Sequence, residues 1–320
     1  MPKDAALVIA HRGACGYLPE HTLEAKAYAH ALGADFLEQD IVATKDDELI
    51  VLHDIHLDRV TDVAERFPDR HREDGRYYAR DLYLHEIRTL TAWERRDESG
   101  LNAVFPNRFP TDSGNFRVPT LRDEIKLIQG LNRSTGRTAG IYPEIKRPAW
   151  HRNEGVDISA LLLQLLDDLG YRSKADPIYL QCFDAAEVRR IRHDLGCQLK
   201  IVQLLAENSW AESDTDYEPL KSGEGLSELA RSVDAIGPWL GHVVTTGGID
   251  GEPVSTGLVS AAHQAGLAVH PYTFRKEQLA PGFHSLQEMV AWFVEKLSID
   301  GLFTDFPDLA LDALGRRNFG

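Results

Sequence analysis

The chain has 320 residues, 43% hydrophobic and 27% charged, a balance that argues against disordered, fibrous and membrane-embedded classes. Fifty acidic against 35 basic residues leave a formal net charge of −15, so the long-range field repels polyanions and no nucleic-acid partner is expected. No apolar run approaches the 18 or so residues that a spanning helix needs, so no membrane insertion is expected either.

The chain opens Met1-Pro2-Lys3-Asp4 straight into an apolar run, without the apolar h-region of a signal peptide, and so reads as leaderless. Strands are predicted at Leu7–Ala10 and Phe36–Ala43, with a helix over Leu23–Leu32 between them. A second short strand, Leu49–His53, follows the polar turn Thr44–Glu48 and suggests a hairpin. A long charged and aromatic stretch comes next, then a helix at Leu121–Leu131 and a strand at Gly140–Ile145. From there strand and helix alternate: helix Ile158–Leu169, strand Pro177–Phe183, helix Ala185–Leu195, strand Lys200–Leu205, helix Leu226–Val233 and strand Asp234–Pro238. Helix Thr256–Ala265, strand Leu267–Tyr272, helix Leu286–Leu297, strand Gly301–Phe306 and a closing helix Ala310–Leu314, capped by Arg316-Arg317, complete the chain.

Eight strands alternating with helices predict a single (β/α)8 TIM barrel over residues 1–320, since repeated right-handed crossovers close such a sheet on itself. Residues 55–117 interrupt the rhythm and are expected to form an insertion over the C-terminal mouth, with Tyr77, Tyr78, Arg108 and Phe109 either facing a ligand or packing the insert's own core. Removing them leaves close to the ~250 residues typical of this barrel. Cys15, Cys182 and Cys197 are odd in number and lack CxxC spacing, so free thiols are expected rather than disulfides or zinc.

Active sites of such barrels lie at the strand C-terminal ends, and those ends are polar here. Glu38 and Asp40 are two apart in one strand and share a face; Glu144 and Lys146 do the same in another. Three inward carboxylates repel one another unless a cation neutralises them, and oxygen ligands without cysteine suit a hard divalent ion. The ion leaves one net negative charge, for which Lys146 and Arg12 are the candidate counter-charges. The alternative is a plain salt-bridge layer. His11 and His53 close two segments flanking the Glu38–Asp40 strand, and a pair titrating near neutrality can divide general-acid and general-base roles. Asp54 and Glu20 are candidates to orient them, or are caps.

His11-Arg12-Gly13-Ala14, Pro19-Glu20-His21-Thr22, Glu38-Gln39-Asp40, His53-Asp54 and Pro143-Glu144-Ile145-Lys146 together resemble the glycerophosphodiester phosphodiesterases. Leu57–Val63, Arg66–Arg70, Gln181–Asp184, His270–Thr273 and Gly301–Asp308 resemble the bacterial periplasmic-type branch in particular. The resemblance implies one divalent cation, Ca²⁺ favoured and Mg²⁺ the alternative, on Glu38, Asp40 and Glu144. It implies His11 and His53 as the acid/base pair, of which we take His11 as the base and His53 as the acid, and it implies Arg12 and Lys146 on the phosphate. The implied reaction hydrolyses a small-molecule glycerophosphodiester, such as glycerophosphocholine or glycerophosphoethanolamine, to sn-glycerol 3-phosphate and an alcohol. Whether a cyclic phosphate intervenes stays open.

Gln181, Phe183 and Tyr272 are expected to contact substrate, or else to fill the barrel interior along with His270; Trp239 and the 241–251 loop are a further candidate wall. The rival readings are cleavage of lysophospholipid or sphingomyelin and a non-catalytic phosphodiester-binding barrel. Export follows from the resemblance, a cytoplasmic location from the leaderless start.

Overall fold

The computed structural model describes residues 6–111, 113–247 and 251–316. Met1–Asp4, Arg317 and positions 248–250 of the candidate wall lie outside them. Eight parallel strands form the barrel: β1 (Leu7–Ala10), β2 (Phe36–Ala43), β4 (Gly140–Ile145), β5 (Tyr179–Cys182), β6 (Lys200–Leu205), β7 (Ala235–Pro238), β10 (Ala268–Val269) and β11 (Gly301–Thr304). β1 pairs with both β2 and β11, and Asp300 N→Val269 O and Phe303 N→Pro271 O, each 3.0 Å, join β11 to the β10 segment and close the ring. The predicted TIM barrel is the observed fold. Its seventh strand is shorter than the predicted Leu267–Tyr272, although His270 N→Ile236 O and Tyr272 N→Pro238 O carry the pairing onward.

Local chemistry sets the helix starts. Thr22, Thr120, Asp157, Asp184, Ser222 and Ser285 each accept a backbone N–H in the first turn of the helix that follows, satisfying donors a helix cannot satisfy internally. Gly33, at φ 106°, ends α1 (Leu23–Leu32) in the left-handed conformation glycine favours.

β2 is buried along its whole length because both faces are covered. One edge pairs with β4 from Phe36 to Ile41, and the other is shared between two strands running in opposite senses. β1 pairs with Phe36–Leu37 and runs up to His11, whereas β3 (Leu49–Val51) pairs antiparallel with Ile41–Ala43 and runs down to His53. Leu52 N donates to Asp40 O at 2.9 Å, which delivers His53 to the level of Asp40.

Below this level the barrel is filled by Ile9, Phe36, Tyr142, Val202, Ala235 and Phe303. Tyr142 packs on Phe303 and Tyr179, ring centroids 5.0 Å apart in both cases, and its hydroxyl bonds His270 Nδ1 at 2.7 Å. This apolar floor confines polar chemistry to the mouth. His270 therefore belongs to the interior rather than to a wall.

The chain from 55 to 117 gathers its own apolar cluster, including Leu57, Val60, Tyr77, Leu82, Ile87 and Phe116, against Val42, Ile50 and Leu52 of the hairpin. Tyr77 and Phe109 pack within this segment, while Tyr78 stacks on Trp150 of the barrel's outer layer. Beyond β7, a hairpin of β8 (Val244–Gly247) and β9 (Glu252–Ser255) was not anticipated from the sequence. All three cysteines are free and buried.

Candidate active site

A cavity of about 650 Å³ opens at the strand C-terminal ends, and His11, Arg12, Glu38, Asp40, His53 and Glu144 all line it. β2 supplies Glu38 and Asp40, β4 supplies Glu144, and Asp40 lies in register with Glu144 across the two strands. Lys146 Nζ bonds Glu144 Oε1 at 2.7 Å. Lys146 is buried and lies behind the lining, so of the two expected phosphate cations Arg12 is the one on the wall. Gln181, Phe183 and Tyr272 line the same cavity, as do Trp239 and Val244–Thr246. Gln181 Nε2 donates to Glu38 Oε1 at 3.3 Å, and the Tyr272 hydroxyl donates to Leu205 O at 2.9 Å.

Three buried carboxylates line this cavity at an electrostatic cost, although Glu144 lies outside the compact ligand group that Glu38 and Asp40 form. Burial, reinforced by Asp40, pushes Glu38 up to about 8. Burial likewise raises Glu144 well above the carboxylate range despite Lys146. Burial opposes ionisation of Asp40 too, but Lys146, His53 and His21 hold it well below its usual value. Asp40 Oδ1 and Gln181 Oε1 are buried without hydrogen-bond partners among the described residues. Raised carboxylates beside orphaned acceptor oxygens form a donor set that fits a hard cation.

Each histidine is backed by a carboxylate. His11 Nδ1 donates to Asp305 Oδ1, and His53 Nδ1 to Asp54 Oδ1, both at 2.6 Å. Carboxylates only accept, so Nδ1 carries the proton and Nε2 keeps its lone pair. Burial and Arg12 lower His11 to about 4; burial, Arg12 and Lys146 lower His53 to about 3. Both imidazoles are therefore neutral near pH 7 in the protein alone.

Arginines hold the two backing carboxylates in turn. Arg108 Nη2 and Arg275 Nε both bond Asp305 Oδ2 at 2.7 Å. Arg95 Nη1 bonds Asp54 Oδ2 at 2.5 Å and grips Glu20 through two nitrogens, at 2.6 and 2.9 Å. Asp54 thus orients His53 as expected. Glu20 bonds Arg12 and Arg95 and orients neither histidine.

Asp305, legible in the sequence only as a polar strand end, and His21, inside the Pro19–Thr22 segment, take positions that the sequence did not assign. Asp305 closes β11, and β11 lies beside β1, an adjacency that only ring closure creates. His21 Nε2 sits 2.7 Å from Asp40 Oδ2, and the ligand atoms of His21, Glu38 and Asp40 lie within 4.8 Å of one another. The only sequence signal for it was its place beside Glu20 in the Pro19–Thr22 segment. Lys26 sits behind it, bonded to Glu124 Oε1 at 2.8 Å. A second group, His11, Cys15 and Asp305, is equally compact, but Asp305 is already held by two arginines and burial raises the Cys15 thiol well above its usual value. No helix among the described residues is long and apolar enough to cross a membrane.

Residues 11–309 match the sequence model of the glycerophosphoryl diester phosphodiesterase family. The chain is 43% identical to a glycerophosphodiester phosphodiesterase of Haemophilus influenzae over 98% of its own length and 90% of that protein's. It is 36% identical to one from Treponema pallidum, covering 97% and 92% of the two chains. Its fold superimposes on an Oleispira antarctica phosphodiesterase, solved with the product sn-glycerol-3-phosphate, with a TM-score of 0.65, at 18% identity and over 97% of each chain.

Proposed function

The chain belongs to the glycerophosphoryl diester phosphodiesterase family, and on that premise we propose that it hydrolyses sn-glycero-3-phosphodiesters by two-histidine acid/base catalysis with one divalent cation. It is a phosphodiesterase; the expected substrates are glycerophosphocholine and glycerophosphoethanolamine, and the products sn-glycerol 3-phosphate and the free alcohol. That the Oleispira antarctica protein holds sn-glycerol-3-phosphate supports this product. The observation that carries the reading is the pair of histidines, each oriented by an aspartate and both lining one cavity with three carboxylates.

Glu38, Asp40 and Glu144 would hold the cation, Ca²⁺ in the first instance and Mg²⁺ as the alternative. Its chemistry when bound is Lewis-acid polarisation of the phosphoryl group and neutralisation of the carboxylates. Arg12, on the wall between the histidines and Asp40, binds the phosphate oxygens and meets the charge that grows on them in the transition state. His11 Nε2 takes the proton of the attacking group, water directly or a glycerol hydroxyl whose cyclic phosphate water then opens, and Asp305 stabilises the imidazolium that results. His53 protonates the departing alkoxide. Burial first, and then the positive field of Arg12, hold His53 neutral; the phosphate anion offsets the second, so substrate binding favours its protonated form. Gln181, Phe183 and Tyr272 contact the glycerol unit, Lys146 balances Glu144, and residues 55–117 act as an insertion subdomain that supplies arginines from above.

The test is release of glycerol 3-phosphate from glycerophosphocholine before and after EDTA, with Ca²⁺ and Mg²⁺ restored separately. Turnover that disappears on chelation and returns with one ion is expected. Faster cleavage of lysophosphatidylcholine than of glycerophosphocholine would replace this substrate assignment with the lipid one.

A further inference from the structure

Behind the histidines lies a second cavity of about 310 Å³, at the low end of ligand-pocket sizes. It shares His11, Arg12, His53, Arg275 and Gln278 with the first, so the two chambers meet at the catalytic pair. The first chamber holds the carboxylate cluster. The second is walled by the 55–117 segment, through Glu94, Arg95, Phe105 and Arg108 among others.

Most charges in the second chamber are already matched. Arg12 pairs with Glu20, Arg95 with Glu20 and Asp54, and Arg108 and Arg275 with Asp305. Arg59 donates its Nε to Arg96 O. Arg59 and Glu94 form no ion pair among the described residues; of the two it is Glu94 that is buried, only 4% exposed, and its Oε2 has no hydrogen-bond partner. A buried acid left unsatisfied on a cavity wall is costly unless a ligand completes it. Burial and the nearby Glu20 push Glu94 up to about 8, so an arriving cation would supply the charge that its ionised form lacks.

Displacement at phosphorus places the attacking and leaving oxygens roughly in line. With the glycerol hydroxyls drawn to the carboxylate cluster, the phosphate at the histidines and a glycerol hydroxyl as the attacking group, the leaving alcohol points away from the first chamber and into the second. We infer that the second chamber is the head-group subsite and that Glu94 selects amino-alcohol head groups by pairing with their ammonium. The inference rests on the proposed hydrolysis and adds its substrate selectivity.

The test compares kcat/KM for glycerophosphoethanolamine and for glycerophosphoglycerol, whose head group is neutral, in the wild type and in Glu94→Gln. The expected result is a wild-type preference for the ammonium substrate that falls about tenfold in the variant, mainly through KM, as for a charged hydrogen bond made on binding. An unchanged ratio, with both diesters still cleaved, overturns the subsite alone. Failure of the wild type to cleave either diester overturns the underlying reaction, and the subsite with it. Should the variant not fold, inhibition of the wild type decides: ethanolamine competing at clearly lower concentration than ethylene glycol supports the pairing, and equal inhibition overturns it.

Discussion

The two histidine stations use one motif in two settings. At His11 the dyad is dry, with side-chain exposures of 9% for the histidine and 1% for Asp305, and two arginines bond the aspartate. At His53 the corresponding values are 26% and 22%, and one arginine bonds Asp54. An aspartate divided between two guanidiniums has less charge to offer an imidazolium, and a dry ring is harder to charge. Identical hydrogen bonds thus sit in unlike shells, yet Arg12 and Lys146 add to burial at His53 and hold it at about 3 against about 4 for His11, so the shells alone do not divide base from acid.

The strongest way to break this asymmetry is to remove each ring. His11→Ala and His53→Ala should each lower kcat by about 10²–10⁴-fold. Replacing the alcohol with an activated aryl leaving group should rescue His53→Ala and not His11→Ala; rescue of both, or of His11→Ala alone, would reverse the assignment. Asp305→Asn and Asp54→Asn come next, with kcat falling roughly 10- to 10³-fold as the ring loses its fixed tautomer. Steady-state kinetics should show KM changing less than kcat in both.

A smaller effect is expected one layer out. Arg108→Ala should cost about tenfold in kcat with little change in KM, and Arg108→Lys should recover only part of it, because a single ammonium cannot bond Asp305 and Glu277 as the planar fork does. The carboxylate cluster gives a readout free of catalysis: Ca²⁺ at 100 times its Kd should stabilise the fold by about 2.7 kcal/mol, seen as a rise in Tm, and Glu144→Gln should remove most of that rise.

The smallest effect concerns a histidine outside both stations. Burial lowers His270 to about 4, so between pH 6.5 and 4 the unfolded chain binds a proton that the folded chain refuses. This contribution to stability is present above pH 6.5 and is lost as pH falls toward 4. Urea unfolding of His270→Phe should therefore show a shallower loss over that window than the wild type.

The barrel was legible because each strand carries its own apolar run and each helix its own period. The β8–β9 hairpin was not: its strands are four residues each, mostly exposed, and include Pro253, so neither alternation nor β-propensity marks them. The same division holds at the site. Glu38, Asp40, Glu144, His11 and His53 sit at strand ends, where spacing alone predicts convergence. Asp305 meets His11 across 294 residues, and Arg108 meets Asp305 across 197, contacts that depend on ring closure and on the path of the 55–117 segment. His21, held at φ 60° one residue from Glu20, is turned toward Asp40 by a backbone conformation that no periodicity encodes.

The shared edge of β2 carries a last consequence. His11 and His53 are spaced by the hydrogen-bond ladder of a single strand, which one neighbour climbs and the other descends. The chain leaves that ladder only after Leu52, so the stretch from 55 to 117, apart from Arg95 and Arg108 that hold the two aspartates, can lengthen, shorten or change its walls without altering the gap between the two histidines. The spacing of the two histidines is anchored to the repeat distance of one backbone, while the walls around them are free to drift in a separate stretch of chain.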